Sequence, residues 1–452
     1  MKRKNWTIAL VSGLLSSLLI LSACAPAATP SPEVVKETVV VKETVPVEVT
    51  QEVVVTATPA PPEPVTITFW HAYNEVSPEN EMLTKTLIPM FEAEHPNIKV
   101  KSLAVPYDEF RQKLLTSMAR GVAPDLIRSD IIWVPELAEL GALAPLDEVM
   151  PDFETYKAKV FPGPLSTNFW NGHYYGLPLD TNTRVWYWNK EMYEAAGIAE
   201  PPKTIDDVAA QCAAIKALGE DKYVFADGGT YAWAVLPWIW SFGGDITDPE
   251  ITKATGYLNG PNTVAAYEFL LEFYKDGCLS PSVLGSGVDA GTGYAQDLYA
   301  NYLDGPWMYP IYEAQFPEKQ LHAVLMPAGD GGSISVVGGE DIVLLQQSQH
   351  KEAAMEFIRF TLSPEYQLKM AETGQLMVLS ELLESDYIQN HPYYGIFLEQ
   401  LKTAKARTPH PAWTKMDEII TNAGQAILRE EKSVQQALDE AAAEIDALLA
   451  SQ

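Results

Sequence analysis

The sequence predicts an α/β fold with mostly parallel sheets, flanking helices and two lobes. Residues 65–70 and 98–103 alternate apolar and polar side chains, as a half-buried strand does. Each segment is followed by a helical pattern, over 79–94 and 108–120, and Gly121 stands where a left-handed residue commonly ends a helix. Strands and helices in such short alternation need crossover connections, which place neighbouring strands parallel.

The rest of the chain continues this alternation. The patterns predict a strand at 125–127, helices at 135–140, 204–218 and 264–276, a strand at 342–345 and a helix at 351–361. The last hundred residues are mainly helical, with Val434, Leu438 and Ile445 on the core face of the final helix. No terminal domain stands apart, so two lobes with interleaved segments fit better than three separate domains.

Composition excludes several classes of protein. The chain has 452 residues, 47% of them hydrophobic, which is enough for a large core. Its 60 acidic and 31 basic residues give a net charge of −29, which argues against nucleic-acid binding. Three cysteines exclude a disulfide framework, although they leave open whether Cys212 and Cys278 pair. Seven scattered histidines show no metal-ligand spacing, so we expect neither a metal nor a cofactor.

No catalytic motif stands out. Glycine-rich phosphate loops are missing, and Gly285-Ser286-Gly287 lacks the strand-to-helix context of a nucleophile elbow. Carboxylates are plentiful, so counting them does not exclude a glycosidase-like pair, but nothing marks two of them as a matched acid and base.

The N-terminus indicates export. Basic residues 2–4 precede an apolar run at 8–21, and Leu21-Ser22-Ala23-Cys24 looks like the cleavage box of a bacterial lipoprotein. We therefore expect a signal peptide over 1–23 and lipid attachment at Cys24, with an ordinary export signal as the alternative. Residues 25–64 contain eight prolines and eleven valines, so 24–64 is interpreted as an extended tether. An interacting strand segment is the alternative for this region.

Tryptophan is the notable residue of the folded part. Ten of the eleven tryptophans follow the tether. An indole offers a broad apolar face with one polar edge, and a sugar offers an apolar C–H face with a hydroxyl rim. Tryptophans combined with carboxylates that accept hydroxyl hydrogen bonds therefore suit a carbohydrate. Ordinary core packing is the alternative for each ring, above all for Trp186 and Trp188, which alternate within a strand pattern.

Several short segments occur in the order that is typical of one family. They are 67–71 (ITFWH), 95–100 (HPNIKV), 121–126 (GVAPDL), 174–178 (YYGLP), 188–190 (WNK) through 196–198 (AGI) to 201–204 (PPKT), 304–307 (DGPW), 338–340 (GGE) and 352–358 (EAAMEFI). From about Val65 onward the chain resembles the extracytoplasmic solute-binding proteins of bacterial ABC sugar importers, the maltose-binding-protein-like family. Two segments depart from the family pattern, at Thr204-Ile205 and at 375–378.

This resemblance implies a type II periplasmic-binding-protein fold, with hinge segments that cross between the lobes and a ligand in the cleft. The implied division is 65–180 for lobe 1, 181–333 for lobe 2, 334–378 for the return to lobe 1, and 379–452 for C-terminal helices that pack mainly on lobe 2. Carried over by position, the family's cleft contacts fall on Trp70, Asn74, Glu75, Asp130, Trp133, Asp180, Trp238, Trp240, Trp307, Tyr309, Gly339, Glu340 and Trp413.

The expected function is capture of a sugar or oligosaccharide by a non-enzymatic, lipid-anchored, extracytoplasmic protein. Its expected partners are the carbohydrate, the permease subunits of an ABC transporter, and the cell membrane through the N-terminal lipid. The protein is expected to be a monomer. One alternative is the same fold with another solute, such as a glycerophosphodiester, a peptide or a polyamine, and a more distant one is a secreted glycoside hydrolase. The sequence leaves the sugar, its length, the permease and the number of envelope membranes open.

Overall fold

The computed structural model describes residues 64–451, and the predicted signal peptide and nearly all of the predicted tether lie outside the described residues. Within the described range, no helix is both long and apolar enough to cross a membrane. The range contains twelve strands, in chain order β1 (Val65–His71), β2 (Ile98–Ala104), β3 (Leu126–Asp130), β4 (Phe169–Trp170), β5 (His173–Tyr174), β6 (Gly176–Thr183), β7 (Val185–Trp188), β8 (Tyr223–Ala226), β9 (Tyr299–Asp304), β10 (His322–Val324), β11 (Val336–Leu344) and β12 (Lys405–Ala406).

Twenty α-helices flank these strands. They are α1 (Pro78–Met82), α2 (Ile88–Glu94), α3 (Tyr107–Ala119), α4 (Val134–Glu139), α5 (Leu146–Val149), α6 (Phe153–Lys157), α7 (Pro162–Ser166), α8 (Lys190–Ala195), α9 (Ile205–Ala210), α10 (Cys212–Lys216), α11 (Ala232–Ser241), α12 (Pro261–Lys275), α13 (Ala290–Ala295), α14 (Met308–Gln315), α15 (Lys351–Thr361), α16 (Pro364–Ala371), α17 (Asp386–Gln389), α18 (Tyr394–Leu401), α19 (Trp413–Leu428) and α20 (Val434–Leu449). A π-helical turn, Leu83–Leu87, joins α1 to α2. Short 3₁₀ turns lie at Ile131–Trp133, Pro281–Leu284 and Ser380–Leu382.

The first sheet has the order β12-β11-β3-β1-β2, and β6 pairs with β11 outside this path. β1 is parallel to both β2 and β3, as the strand–helix alternation predicts. β11 is antiparallel to both β3 and β6. The α/β class is therefore confirmed. Three of the five pairings in this sheet are parallel, including that of β11 with β12, and the two antiparallel ones arise because β11 returns against the direction of β3 and β6.

The second sheet has the order β10-β7-β9-β8 and is also mixed. β7 is antiparallel to β9 and β10, whereas β8 and β9 are parallel. The cores fill the space between the sheets and their helices. On one face of the first sheet, the Phe357 ring lies 5.4 Å from Phe69 and 5.1 Å from Phe91. α19 and α20 pack against each other and against α12, with Met416 and Leu438 fully buried between them.

One buried arginine fixes the first crossing between the sheets. Arg184 lies between β6 of the first sheet and β7 of the second, and it is only 3% exposed. Its guanidinium forms an ion pair with Asp227 at 2.8 Å and donates hydrogen bonds to the carbonyl oxygens of Trp233 (2.9 Å) and Leu303 (2.6 Å). The backbone carbonyl of Arg184 accepts a bond from the Ser335 hydroxyl at the start of the returning segment. The outgoing and returning crossings are therefore tied to each other.

The structure answers the open question about cysteine, because Cys212 and Cys278 form a disulfide. The two residues are separated by 66 positions, so the disulfide closes a long covalent loop, which includes β8 of the second sheet. We expect the double replacement Cys212→Ser/Cys278→Ser to lower the free energy of unfolding by about 2–4 kcal/mol, mainly because the unfolded chain regains freedom. Urea unfolding of both proteins measures this difference. Equal midpoints and slopes would contradict it.

Candidate functional site

A cavity of about 510 Å³ lies at the carboxyl ends of β1 and β3, beside the crossing strand β11. Open α/β sheets place ligands at this end of their strands. The lining of the cavity comes from strands of the first sheet, from the loops and helices around them, and from α11, α14 and α19. The lining residues are Ala72, Tyr73, Asn74, Ser77, Glu79, Tyr107, Arg128, Asp130, Ile132, Asn182, Tyr231, Trp233, Trp307, Ile311, Gly338, Gly339, Glu340, Gln375, Arg407 and Asp417. Its volume is in the range of small-molecule sites.

Two half-buried indoles give the cavity its apolar surface. Trp307 precedes α14 and packs on the core that contains Phe69, whereas Trp233 belongs to α11 and packs on the core of α19 and α20. Gly338 on β11 makes room for Trp233, since a Cβ at this position would lie 2.6 Å from Cη2 of that ring. The two rings thus enter the cavity from separately packed parts of the protein.

A buried charge cluster lies at the inner end of the cavity. The Arg128 guanidinium is 3.1 Å from Asp180 Oδ2 and 2.5 Å from Glu340 Oε2, and its Cζ lies 4.3 Å from the centre of the Tyr73 ring. Desolvation raises the pKa of Glu340 well above its usual value, Arg128 opposes this shift, and the neighbouring Asp180 carboxylate adds to it. One cation is therefore shared by two carboxylates.

A second ion pair connects the end of β3 to the C-terminal segment. The Arg407 guanidinium donates to Asp130 Oδ1 at 3.0 Å, and the Tyr107 hydroxyl donates to Asp130 Oδ2 at 2.8 Å. Arg407 Cζ also lies 5.1 Å from the centre of the Trp233 ring. Asp130 is thus held on both oxygens, and Arg407 supports one of the two cavity indoles.

Four buried polar atoms of cavity-lining residues have no hydrogen-bond partner in the part of the chain that the structure describes. They are Tyr73 Oη, Asn182 Oδ1, Gln375 Oε1 and Arg407 Nε. Buried polar groups in folded proteins almost always have partners. This set of donors and acceptors is therefore suited to a ligand with several hydroxyl or amino groups. The described residues contain no cluster of side chains that could hold a metal ion.

The structure brings five of the thirteen sequence-predicted site residues to the cavity, namely Asn74, Asp130, Trp307, Gly339 and Glu340. The other eight do not line it. Asp180 is 4% exposed and lies behind Arg128, which shields it from the cavity.

Three further predicted residues lie outside because their side chains point elsewhere. Trp70 packs edge-on against Phe110 on the other side of β1. Glu75 is on the exposed outer side of the loop after β1. Tyr309 stacks on Tyr393, with 3.8 Å between the ring centres.

The remaining four are core tryptophans. Trp133 is 5% exposed and stacks on Phe110, and Trp238 is 1% exposed beneath Trp186. Trp240 is 3% exposed and donates to Asp245. Trp413 is 1% exposed, at the start of α19. Packing of the second sheet and the C-terminal helices occupies the last three rings, so the core alternative applies to them.

Sequence reasoning missed most of the polar lining. The missed residues that carry the site's chemistry are Tyr73, Glu79, Tyr107, Arg128, Asn182, Tyr231, Trp233, Gln375, Arg407 and Asp417. Arg128 had a usable signal, since a charged residue inside a buried strand needs a charged partner. Trp233 had none, because α11 is apolar on every side and its periodicity marks no exposed face.

These features describe a cavity of small-molecule size at the edge of the first sheet, with aromatic and polar side chains in its lining. The model of the bacterial extracellular solute-binding protein family matches residues 74–368, more than half of the chain. The chain therefore belongs to this family of binding proteins and is not an enzyme.

Individual relatives share fewer than a third of their residues with this chain. The chain is 29% identical over 369 residues to a binding protein of Brucella abortus, with 79% of this chain and 88% of that protein covered. It is 26% identical to the maltotriose-binding protein of Pyrococcus abyssi, with 73% and 70% covered. The structure of an ABC transporter solute-binding protein from Thermotoga lettingae, bound with α-D-tagatose, has a TM-score of 0.77 and 26% identity, and covers 85% of this chain and 99% of that one. The predicted periplasmic-binding-protein fold is thus confirmed.

Proposed function

We propose that this protein captures a sugar or short oligosaccharide outside the cytoplasm and delivers it to the permease of a bacterial ABC importer. The observation that carries the proposal is the pair of indoles, Trp233 and Trp307, in one cavity with unpartnered polar atoms. Flat apolar faces accommodate the C–H face of a sugar, while unpartnered donors can donate to its hydroxyl oxygens and unpartnered acceptors can accept from its hydroxyl hydrogens. Two relatives support this choice, since one is named for maltotriose binding and the other holds α-D-tagatose.

Binding is proposed to work by closure of two lobes around the solute, with 65–180 and 334–378 in lobe 1 and 181–333 in lobe 2. A solute that contacts both Trp307 and the Asp130 side of the cavity stabilises the closed arrangement over the open one. The closed form is then the one that docks on the permease. The last two helices, α19 and α20, are proposed to move with lobe 2, because α19 packs on α11 and both pack on α12, whereas α18 packs on β6 and β7.

The N-terminus is proposed to anchor the protein to the cell membrane through lipid on Cys24. An extended tether of about 40 residues would reach on the order of 120 Å at about 3.1 Å per residue. The binding unit could then meet its permease while it stays attached to the membrane. This proposal rests on the sequence of residues 1–64 alone.

A thermal-shift screen of the purified full chain tests the function. Ligands that bind only the native state raise the free energy of unfolding by RT ln(1 + [L]/Kd), about 2.7 kcal/mol at one hundred times Kd, and the thermal midpoint rises with it. We expect at least one mono- or oligosaccharide to raise the midpoint and to be recovered unhydrolysed. Amino acids, peptides and glycerol phosphate serve as comparison solutes. A shift with these alone, and with no sugar, would overturn the proposal.

A further inference from the structure

Acidic side chains outnumber basic ones in the lining of the cavity. Four carboxylates line it, from Glu79, Asp130, Glu340 and Asp417, against the two guanidinium groups of Arg128 and Arg407. Both arginines are already engaged. Arg128 is bound between Asp180 and Glu340, and Arg407 is bound to Asp130.

Glu79 is a buried carboxylate of the cavity lining that has no charged partner among the described residues. It lies in the first turn of α1, is 8% exposed, and forms no ion pair within 4 Å in the range that the structure describes. Its Oε1 accepts one hydrogen bond, from Gln375 Nε2 at 3.3 Å. Gln375 is itself 6% exposed and lines the cavity, and its own Oε1 is buried without a hydrogen-bond partner among the described residues. Two neighbouring side chains therefore offer acceptors that the described chain does not use.

Asp417, on α19, adds to the excess of negative charge. It accepts a hydrogen bond from the Ala232 backbone N–H at 2.6 Å and likewise has no ion pair among the described residues. Burial raises its pKa, and the hydrogen bond from Ala232 and the charge of Arg407 reduce this shift without removing it. A cation in the cavity would stabilise this carboxylate as well.

We infer that the solute is a sugar with a free, protonated amino group, which Glu79 and Gln375 bind, an inference that rests on the proposed sugar-binding function. An ammonium group carries three donors and no acceptor, which matches the two unused acceptors. A charge-assisted hydrogen bond to a carboxylate is stronger than a neutral one. A phosphorylated or acidic sugar would instead place another negative charge beside unpaired carboxylates, which is unfavourable in a partly buried site.

Sugars that differ only in one substituent show how much the amino group contributes to binding. We would titrate the full chain with glucose, glucosamine, N-acetylglucosamine and glucuronate, and then with the corresponding β-1,4-linked disaccharides, in a calorimeter at pH 6.5 and low salt. The amine is expected to bind at least about tenfold more tightly than its neutral counterparts, and the acid most weakly. The preference should fall as salt is added, because the interaction is electrostatic.

Variants then locate the preference. In Glu79→Gln the ratio of amine to neutral affinity should fall towards one. Glu75 is an exposed glutamate in the loop that precedes α1, and it does not line the cavity, so Glu75→Gln should keep the ratio of the unmodified chain. If Glu79→Gln fails to fold, the ratio measured on the unmodified chain still decides the question.

Two results would overturn the inference, each for a different reason. If neutral sugars bind and the amines bind no better, the inference is wrong while the proposed function stands. If no sugar binds and other solutes do, the proposed function is wrong and the inference is wrong with it.

Discussion

Replacing Arg128 by alanine is expected to lower the free energy of unfolding by about 3–5 kcal/mol. The guanidinium is the cation for two carboxylates, Asp180 and Glu340, in a cluster where Arg128 itself is 6% exposed. Removing one member of a buried ion pair leaves the other charged and desolvated, which is strongly destabilising. Burial lowers the pKa of Arg128, but the two carboxylates raise it well above its usual value, so the arginine stays charged at every pH of interest. Urea unfolding at pH 7 measures the loss.

The loss of unfolding free energy in Arg128→Ala is expected to be smaller at lower pH. Arg128 is the charge that opposes the desolvation of Glu340, so without it the folded-state pKa of Glu340 rises further. At pH values above the ordinary glutamate pKa, the Glu340 carboxyl of the folded variant then holds a proton that the unfolded chain has lost, so the stability of the variant falls as pH rises. The deficit relative to the unmodified chain should therefore be smaller at pH 5 than at pH 7.

Arg359 provides a matched control for Arg128. Its guanidinium also contacts two carboxylates, Asp152 at 2.6 Å and Glu356 at 3.0 Å, but those side chains are 39% and 41% exposed. Water already solvates that cluster, so Arg359→Ala should cost about 1 kcal/mol or less. If the two variants lose the same free energy of unfolding, burial of the Arg128 cluster does not increase its contribution to stability.

The second large effect concerns binding. Trp307→Ala and Trp233→Ala are each expected to weaken sugar binding by about 2 kcal/mol, roughly 30-fold in Kd, because each removes a broad apolar face from a largely desolvated site. The unfolding transition should change less than the affinity, since both rings are half-buried and not part of a closed core. Calorimetry with a sugar found in the thermal-shift screen measures the change.

Trp170→Ala is the control for these two variants. Trp170 is also a half-buried indole, but it does not line the cavity, and its Nε1 donates to Glu139 at 3.1 Å on the protein surface. Its replacement should leave the Kd within about twofold. If Trp307→Ala and Trp233→Ala bind as tightly as Trp170→Ala does, stacking on the two indoles is not the basis of recognition.

Local pattern predicted the elements of the fold well. The helix expected at 351–361 is α15 with the same bounds, and Gly121 has φ +68° after α3, as a left-handed residue at a helix end requires. The helix expected at 204–218 is instead two helices, α9 and α10, on either side of Gln211. Local pattern also did not show that β11 joins the first sheet antiparallel, since strand direction depends on contacts between distant residues.

The site was harder to predict, for a physical reason. Asn74 and Asp130, which the family resemblance implied, both line the cavity, since one follows β1 and the other ends β3, and these strand ends meet at one edge of the sheet. Position after a strand could not decide which aromatic side chains face the cavity. Trp233 and Trp240 are seven residues apart on α11 and so share a helix face, yet they lie about 10 Å apart along its axis. Only the first reaches the cavity, and the second is enclosed beside Asp245.

Arg184 has a consequence for how the cleft can move. Because its guanidinium holds Asp227 and the carbonyl of Trp233 together, the backbone at this position cannot twist without breaking buried contacts. The hinge of any opening motion is therefore expected before position 184, within β6. The Trp233 ring should then move together with the second sheet as one rigid body. The Trp233 face that a solute contacts would then keep its orientation within its own lobe while the cleft opens and closes. Only its distance from the other lobe would change.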